Sequence, residues 1–433
     1  MTKIHIETYG CAANIADSEQ MAGLLKKAEF KIVDNVDDAD VVIINTCTVK
    51  GPTEDRFWTR LKELQETYKI LIIAGCIAQT EQKKLKAFPL IGTNQIHKVV
   101  EVVEEALNEN IVKEIACDKV PDLNLPIIRK NPIIEIIPIS RGCLGACTYC
   151  KTKHARGNLR SYPVEDIVKR AEKAVDENVR EIWLTSQDCG CYGFDIDTNL
   201  PTLLNELIKI KGKFKIRVGM MNPEHLEKIQ DQLIDVYQSK KIFKFLHLPV
   251  QSGDNEVLEN MKRLYKVQLF KDQINAFRAA FPEINIMTDI IVGFPGETST
   301  QNWNTMTLVR EIAPDSINIS RFWARPNTPA AKMKNNIPGE VIKHRSNVLT
   351  DIFHNISRLQ NERWTGWEGP IIIDEKGKNE CEFIGRNESY KQIIVVGDFK
   401  LGDVVPVKVV KFDTFALFGK VIKTEPKIII SED

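Results

Sequence analysis

Short apolar runs alternate with helix-spaced stretches over the first 117 residues. Lys3–Thr8, Val41–Asn45 and Ile70–Ala74 are short, Ile/Val-rich and bounded by turn residues, which predicts buried parallel strands. Ser18–Glu29 and Asp55–Tyr68 carry helical spacing between them. This βαβ rhythm predicts an open, doubly wound parallel sheet. Residues Asp118–Pro132 hold three prolines and little periodicity, and read as a linker.

The rhythm then resumes. Ile133–Ile139, Glu181–Thr185, Lys215–Gly219, Lys244–Leu248, Asn285–Val292 and Ser316–Phe322 are strand candidates, with helices such as Val164–Glu177 and Leu200–Ile210 between them. Six βα units favour a partial barrel over a second open sheet. Either arrangement puts chemistry at the C-terminal ends of the strands. From Gly369 the pattern changes to short alternating stretches, Pro370–Asp374, Glu380–Ile384, Gln392–Val396, Val404–Phe412 and Ala416–Ile422, separated by turns. That predicts a small antiparallel β-barrel. The resulting division is 1–117, a linker 118–132, 133–362 and 363–425.

Composition narrows the function classes. Lys plus Arg is 59 and Asp plus Glu is 59 in 433 residues, which excludes a globally basic nucleic-acid binder. Only residues 118–362 are slightly basic, 34 cations against 29 anions. No apolar run approaches the roughly 18 residues that a membrane span needs, and the chain enters a strand at Lys3 with no signal-peptide pattern. The ending Ile428-Ile429-Ile430-Ser431-Glu432-Asp433 is too short for an anchor. A soluble, cytoplasmic protein follows, whose ten cysteines sit in a reducing compartment as metal ligands or nucleophiles.

Cys143, Cys147 and Cys150 form a C-x₃-C-x₂-C run directly after the first barrel strand. Three thiolates so close can hold a [4Fe–4S] cluster and leave one iron open. The alternative is a structural zinc site, which needs a fourth ligand, and His154 is the candidate. Cys11, Cys47 and Cys76 each follow a predicted strand, so a parallel sheet would bring them to one edge. A second metal site is the reading; three unrelated core thiols are the alternative.

The first run, with Tyr149 just before its last Cys, resembles the radical S-adenosylmethionine (SAM) superfamily. That resemblance implies SAM on the open iron, cleaved by one electron to a 5′-deoxyadenosyl radical. Nearly the whole chain resembles the methylthiotransferase family. The matching residues are Glu7-Thr8-Tyr9-Gly10-Cys11 with Asn14 and Asp17-Ser18-Glu19, Asn45-Thr46-Cys47, Ala74-Gly75-Cys76, His247 to Gly253, Asp289 to Glu297, and Arg325-Pro326. The fold implied is α/β: an open Rossmann-like sheet, a partial (β/α)6 TIM-like radical SAM barrel, and a C-terminal TRAM β-barrel. The resemblance also implies two [4Fe–4S] clusters, the auxiliary one on Cys11, Cys47 and Cys76. It implies that one SAM methylates a sulfur there while a second gives the radical, with an external flavodoxin- or ferredoxin-like electron donor and a sulfur source.

Cys150-Lys151-Thr152-Lys153-His154-Ala155-Arg156-Gly157 and Glu181 to Asp188 resemble the branch acting on N6-threonylcarbamoyladenosine (t6A) at position 37 of tRNA. Lys151, Lys153, Arg156 and Arg160 then suit RNA phosphates or the t6A carboxylate, with Arg325 a further substrate contact. A solvated basic loop is the alternative. SAM contacts are expected from Tyr149, Gln187, Asp188, Asn222, Gln251, Val292 and Phe294, the last two being core candidates as well. Cys189 and Cys191 depart from the family pattern and offer an extra thiol pair; Cys117 and Cys381 read as structural. Competing functions are a ribosomal-protein methylthiotransferase and a non-catalytic RNA binder with structural metals.

Overall fold

Parallel pairing of the Ile/Val runs builds the first unit of the computed structural model, which describes residues 1–48, 51–68, 70–117 and 119–422. Its strands are β1 (Lys3–Thr8), β2 (Lys31–Ile32), β3 (Val41–Thr46), β4 (Ile70–Gly75), β5 (Leu90–Ile91) and β6 (Lys113–Glu114), in the order β2-β1-β3-β4-β5-β6. Strand β3 is buried at every position, as a central parallel strand must be. Its alternate residues feed opposite faces. Val41 and Ile43 pack with α1 (Ala12–Lys27) and a later helix, Val99–Leu107. Val42 and Ile44 pack with α2 (Gly51–Thr67).

Helix α1 starts six residues before the predicted Ser18. Its first turns bury Asn14, Asp17, Ser18 and Glu19 together with Ala13 and Ala16, so no polar face marks them as helical. Those buried polar side chains serve the site below.

The second unit holds six parallel strands in two groups. One group has the order β11-β10-β7, with β7 (Ile134–Pro138), β10 (Glu181–Thr185) and β11 (Lys215–Val218). The other is β12-β13-β14, with β12 (Phe245–His247), β13 (Asn285–Val292) and β14 (Ser316–Arg321). A single parallel bridge between Ile216 and Ile242 links the groups. This is the partial barrel that the repeated βα units predict, with one apolar core running through it. Between β7 and β10 a short antiparallel pair, β8 (Ser140–Arg141) and β9 (Arg160–Ser161), pins the neck of the loop that carries the three close cysteines. Ala12, Ile15 and Ala16 of α1 pack on Ile134 and Ile136 of β7, so the first unit covers the barrel's edge strand.

The C-terminal unit is a closed five-stranded barrel, β15 (Glu368–Lys376), β16 (Glu382–Arg386), β17 (Gln392–Val396), β18 (Val404–Phe412) and β19 (Leu417–Val421), ordered β15-β16-β17-β19-β18. Closure removes the free edges that an isolated sheet of this size would expose. Residues 423–433, including the Ile428–Asp433 tail and the end of the predicted last unit, lie outside the described residues. No described helix is long and apolar enough to cross a membrane.

This small barrel docks at the N-terminal ends of the large barrel's strands. The Lys244 amide donates to the Glu388 carbonyl at 2.8 Å. Tyr390 enters an aromatic cluster with Phe243 (4.9 Å between centroids), Phe245 (5.4 Å) and Trp183 (6.3 Å). The guanidinium of Arg217 lies over the rings of Trp183, Phe245 and Tyr390 at 5.1, 4.9 and 5.2 Å. Tyr390→Ala should therefore destabilise the whole chain by about 3 kcal/mol, the scale of a buried aromatic truncation. A lowered urea midpoint in the near-ultraviolet signal checks it. A chain cut at residue 363 likewise loses the cover of the large barrel's lower rim, so such a truncation removes folding energy along with any RNA contacts.

Candidate functional site

Three βα turns of the first sheet meet at one edge, and buried amides tie them together. Cys11 precedes α1, Cys47 follows β3, and Cys76 opens the short helix α3 (Cys76–Thr80). The Asn14 Nδ2 donates to the Thr46 carbonyl at 2.9 Å, and Asn45 Nδ2 donates to the Asn14 carbonyl and to Ser18 Oγ, both at 2.8 Å. Thr46 Oγ1 donates to the Ala74 carbonyl (2.6 Å) and accepts from the Ile77 amide (3.1 Å). Gly75 has φ +85°, and a Cβ there would lie 2.3 Å from Asn45 Oδ1, so only glycine permits this turn. The residues around each cysteine thus set the approach of the next turn.

The three thiols converge as the sheet topology predicts. Cys47 hydrogen-bonds to both Cys11 and Cys76. Its hydrogen bond pulls the Cys11 thiol down to about 6, with the Arg156 cation adding to the pull. Its contact with Cys76 pulls that thiol down to about 7 against burial, again with help from Arg156. Cys47, as the shared donor, is pushed up. Cys47 and Cys76 are buried while Cys11 is exposed, so the group opens on one side. Two thiols that ionise readily beside a fixed cation suit a thiolate-ligated metal centre.

The second triad sits on the loop after β8. Gly142, at φ +74°, starts it where a Cβ would lie 1.9 Å from the Asn158 carbonyl oxygen. Cys143, Cys147 and Cys150 are all half-buried. The Gly145 amide points at Cys143 Sγ (3.2 Å), and Arg263 Nη1 at Cys147 Sγ (3.6 Å). Thr148 is tied to the Met261 and Asn260 carbonyls, each at 3.0 Å, which anchors the loop to the far side of the barrel. A hydrogen bond from Cys191 holds Cys143 down to about 7 against burial, while burial pushes Cys150 up. His154, the alternative fourth ligand, is exposed on helix α4 (Thr152–Arg156).

The SAM contacts expected from sequence are placed as follows. Gln187 Oε1 accepts from the Gly142 amide at 2.7 Å, beside the triad. Asp188 is buried, and its carboxylate accepts from the Gly190 amide (2.9 Å), the Asn222 amide (3.1 Å) and His225 Nδ1 (2.6 Å). Asn222 is buried and caps the turn at Pro223–Leu226. Gln251 is half-buried at φ +70°, bridged to β13 through Ile290. Val292 belongs to the main core, whereas Phe294 joins Tyr149, Val257 and Met261 in a smaller apolar wall by the loop.

The cations expected to contact substrate are placed as follows. Lys151 is buried against Glu81 of the first unit. Arg156 is buried with its Nη2 3.0 Å from Asp17 Oδ2. Lys153 Nζ donates to the Cys143 carbonyl. Arg325 is 5% exposed and pairs with Glu54 at 2.6 Å. Arg160 is half-buried in β9, opposite Arg141. The physical reason is simple: a cation loop beside a buried acidic surface finds its carboxylates inside the protein. In this structure Lys151 and Arg156 of the basic loop, and Arg325 beyond β14, are all bound to acids of the first unit.

Cys189 lies in the main core and burial pushes its thiol up to about 12; Cys191 is also pushed up, by its hydrogen bond to Cys143. Neither has the lowered pKa of a reactive thiol. Cys117 and Cys381, read as structural, are both exposed. Sequence reasoning gave no role to Asp17, Glu81, Arg141, His225 or Arg263. Asp17 does lie in a motif quoted above, but its pairing with Arg141 across 124 residues has no spacing signal.

Three family models match the chain: the uncharacterized protein family UPF0004 over residues 3–92, the radical SAM superfamily over 137–309, and the TRAM domain over 363–422. A "probable threonylcarbamoyladenosine tRNA methylthiotransferase" of Pyrococcus abyssi is 42% identical over 420 residues, covering 93% of this chain and 97% of that one. The threonylcarbamoyladenosine tRNA methylthiotransferase of Homo sapiens is 43% identical over 404 residues, 91% of this chain and 69% of that one. Among solved structures, the radical SAM methyltransferase TsrM from Kitasatospora setae, with cobalamin and a [4Fe-4S] cluster bound, superposes with TM-score 0.56. It is 13% identical and covers 76% of this chain and 77% of that one, a likeness of fold alone.

Proposed function

The chain belongs to the threonylcarbamoyladenosine tRNA methylthiotransferase family, and from that premise we propose that it inserts a methylthio group at C2 of t6A at position 37 of tRNA. The observation that carries the reading is the presence of two three-thiol groups, one on each side of a joint made by a single loop. Cys143, Cys147 and Cys150 would hold the cluster that the radical SAM family implies. Cys11, Cys47 and Cys76 would hold the auxiliary one, and their converging, partly ionised thiols fit such a group. When bound, the clusters and SAM supply one-electron chemistry at an unactivated C–H bond, which no side chain can perform alone.

The chain's own residues supply position and exclusion. Gly142, Thr148 and the β8–β9 neck fix the loop that would carry the radical cluster. Tyr149 and Phe294 give an apolar wall beside it, and Gln187 stands at its start, where a SAM polar group would be received. Arg263 faces Cys147 and offsets thiolate charge. The electron comes from a flavodoxin- or ferredoxin-like donor and the sulfur from an external source. The t6A preference rests on the family and not on the loop cations Lys151 and Arg156, which are paired with acids of the first unit. The test is a reconstituted assay with tRNA carrying t6A, isopentenyladenosine or plain adenosine at position 37. Nucleoside mass analysis should show the methylthio product from the t6A tRNA only; equal turnover on all three, or turnover on a ribosomal protein instead, would overturn the assignment.

A further inference from the structure

Arg156 lies six residues beyond Cys150, on the barrel's loop, yet its guanidinium is buried in the first unit among Cys11, Cys47 and Cys76. It hydrogen-bonds to Cys76 and, on its other edge, to Asp17. Asp17 also receives Arg141 Nη2 at 2.6 Å, and Arg141 is itself fully buried, holding the Thr93 carbonyl at 2.7 Å. One carboxylate therefore anchors two guanidiniums, and the trio keeps one positive charge. The thiols are the neighbours that charge faces through Arg156. Helix α4 spans five residues and ends at Gly157, so it is just long enough to carry Arg156 from the cysteine loop onto α3, which begins with Cys76.

We propose that Arg156 is a positioning residue of the auxiliary centre: a cation supplied by the barrel unit that steadies the thiolates of Cys11, Cys47 and Cys76 and sets the electron affinity of the cluster they hold. The inference rests on the two-cluster reading above. A cluster on three thiolates gains negative charge on reduction, and a fixed cation in a low-dielectric site favours that reduced state. Arginine suits the task because it stays charged when buried and its planar fork serves two acceptors at once. The assignment also makes the auxiliary centre incomplete without the barrel, so the two clusters share one loop.

The test is an anaerobic redox titration of the reconstituted full-length chain, followed by electron paramagnetic resonance. The two clusters are told apart by repeating the titration on a Cys143→Ala background, which should remove the cluster that binds SAM and leave the auxiliary one. Arg156→Gln should make reduction of the auxiliary cluster at least about tenfold less favourable, a midpoint about 59 mV more negative for one electron. The cluster that binds SAM should not move, and Arg156→Lys should recover most of the shift. An unmoved auxiliary midpoint in a Gln variant that keeps both clusters overturns the proposal. If the Gln variant loses the auxiliary cluster, the Lys variant decides: retention supports a charge requirement, and loss there too makes the role steric and overturns it. Iron and sulfide counts on the unaltered chain come first, because one cubane in place of two would overturn the two-cluster reading underneath.

Discussion

Replacing Cys143, Cys147 or Cys150 with alanine should abolish 5′-deoxyadenosine formation while the first sheet keeps its own centre. Each of these side chains is half-buried on one loop, and none of them packs in a core. Its loss therefore removes a ligand without a large cavity. Activity should fall at least about a thousandfold, the scale reached when one member of a group that acts as a unit is removed. The iron content should drop by one cluster and the urea midpoint should barely change. Normal SAM cleavage in any of the three variants would break the assignment of this triad. The loop's anchoring through Thr148 to Met261 and Asn260 does not depend on the sulfurs, which keeps the test clean.

The reciprocal substitutions should separate the two halves of the reaction. Cys11→Ala, Cys47→Ala or Cys76→Ala should leave SAM cleavage in place and stop methylthiolation, again by about a thousandfold or more as for any indispensable part. The structure adds a distinction among the three. Cys11 is exposed, so its truncation should cost little stability, whereas Cys47 and Cys76 are buried between packed turns. Cys76→Ala also deprives the buried Arg156 of one acceptor, leaving Asp17 as its carboxylate partner. Full product yield from Cys47→Ala would end the converging-thiol reading.

The pairing of Cys11, Cys47 and Cys76 was legible because a parallel sheet converts sequence position into spatial position. Three strands in a row, β1, β3 and β4, place their following turns side by side. The strand limits were legible from short apolar or alternating runs bounded by turn residues: Glu181–Thr185, Asn285–Val292, Gln392–Val396 and Val404–Phe412 are the observed strands as well as the expected ones. The start of α1 was not, since a helix that buries polar groups on most sides has no face for periodicity to detect. The destinations of Lys151, Arg156 and Arg325 were hidden for a deeper reason. A cation's partner is chosen by tertiary contact, and Glu81, Asp17 and Glu54 stand 70, 139 and 271 positions away in the chain. Arg263 beside Cys147 is the same case at 116 positions.

The docking of the C-terminal barrel carries a consequence for the order of synthesis. The ribosome makes the chain from the N-terminus at roughly 5–20 residues per second. Trp183, Arg217, Phe243 and Phe245 emerge long before Tyr390, the ring that covers them. For the time needed to add some 145 residues after Phe245, the lower rim of the large barrel is an uncovered aromatic surface with a cation at its centre. A nascent chain in that state is a client for chaperones, and stalling between these points should leave it more prone to aggregation than stalling after residue 422.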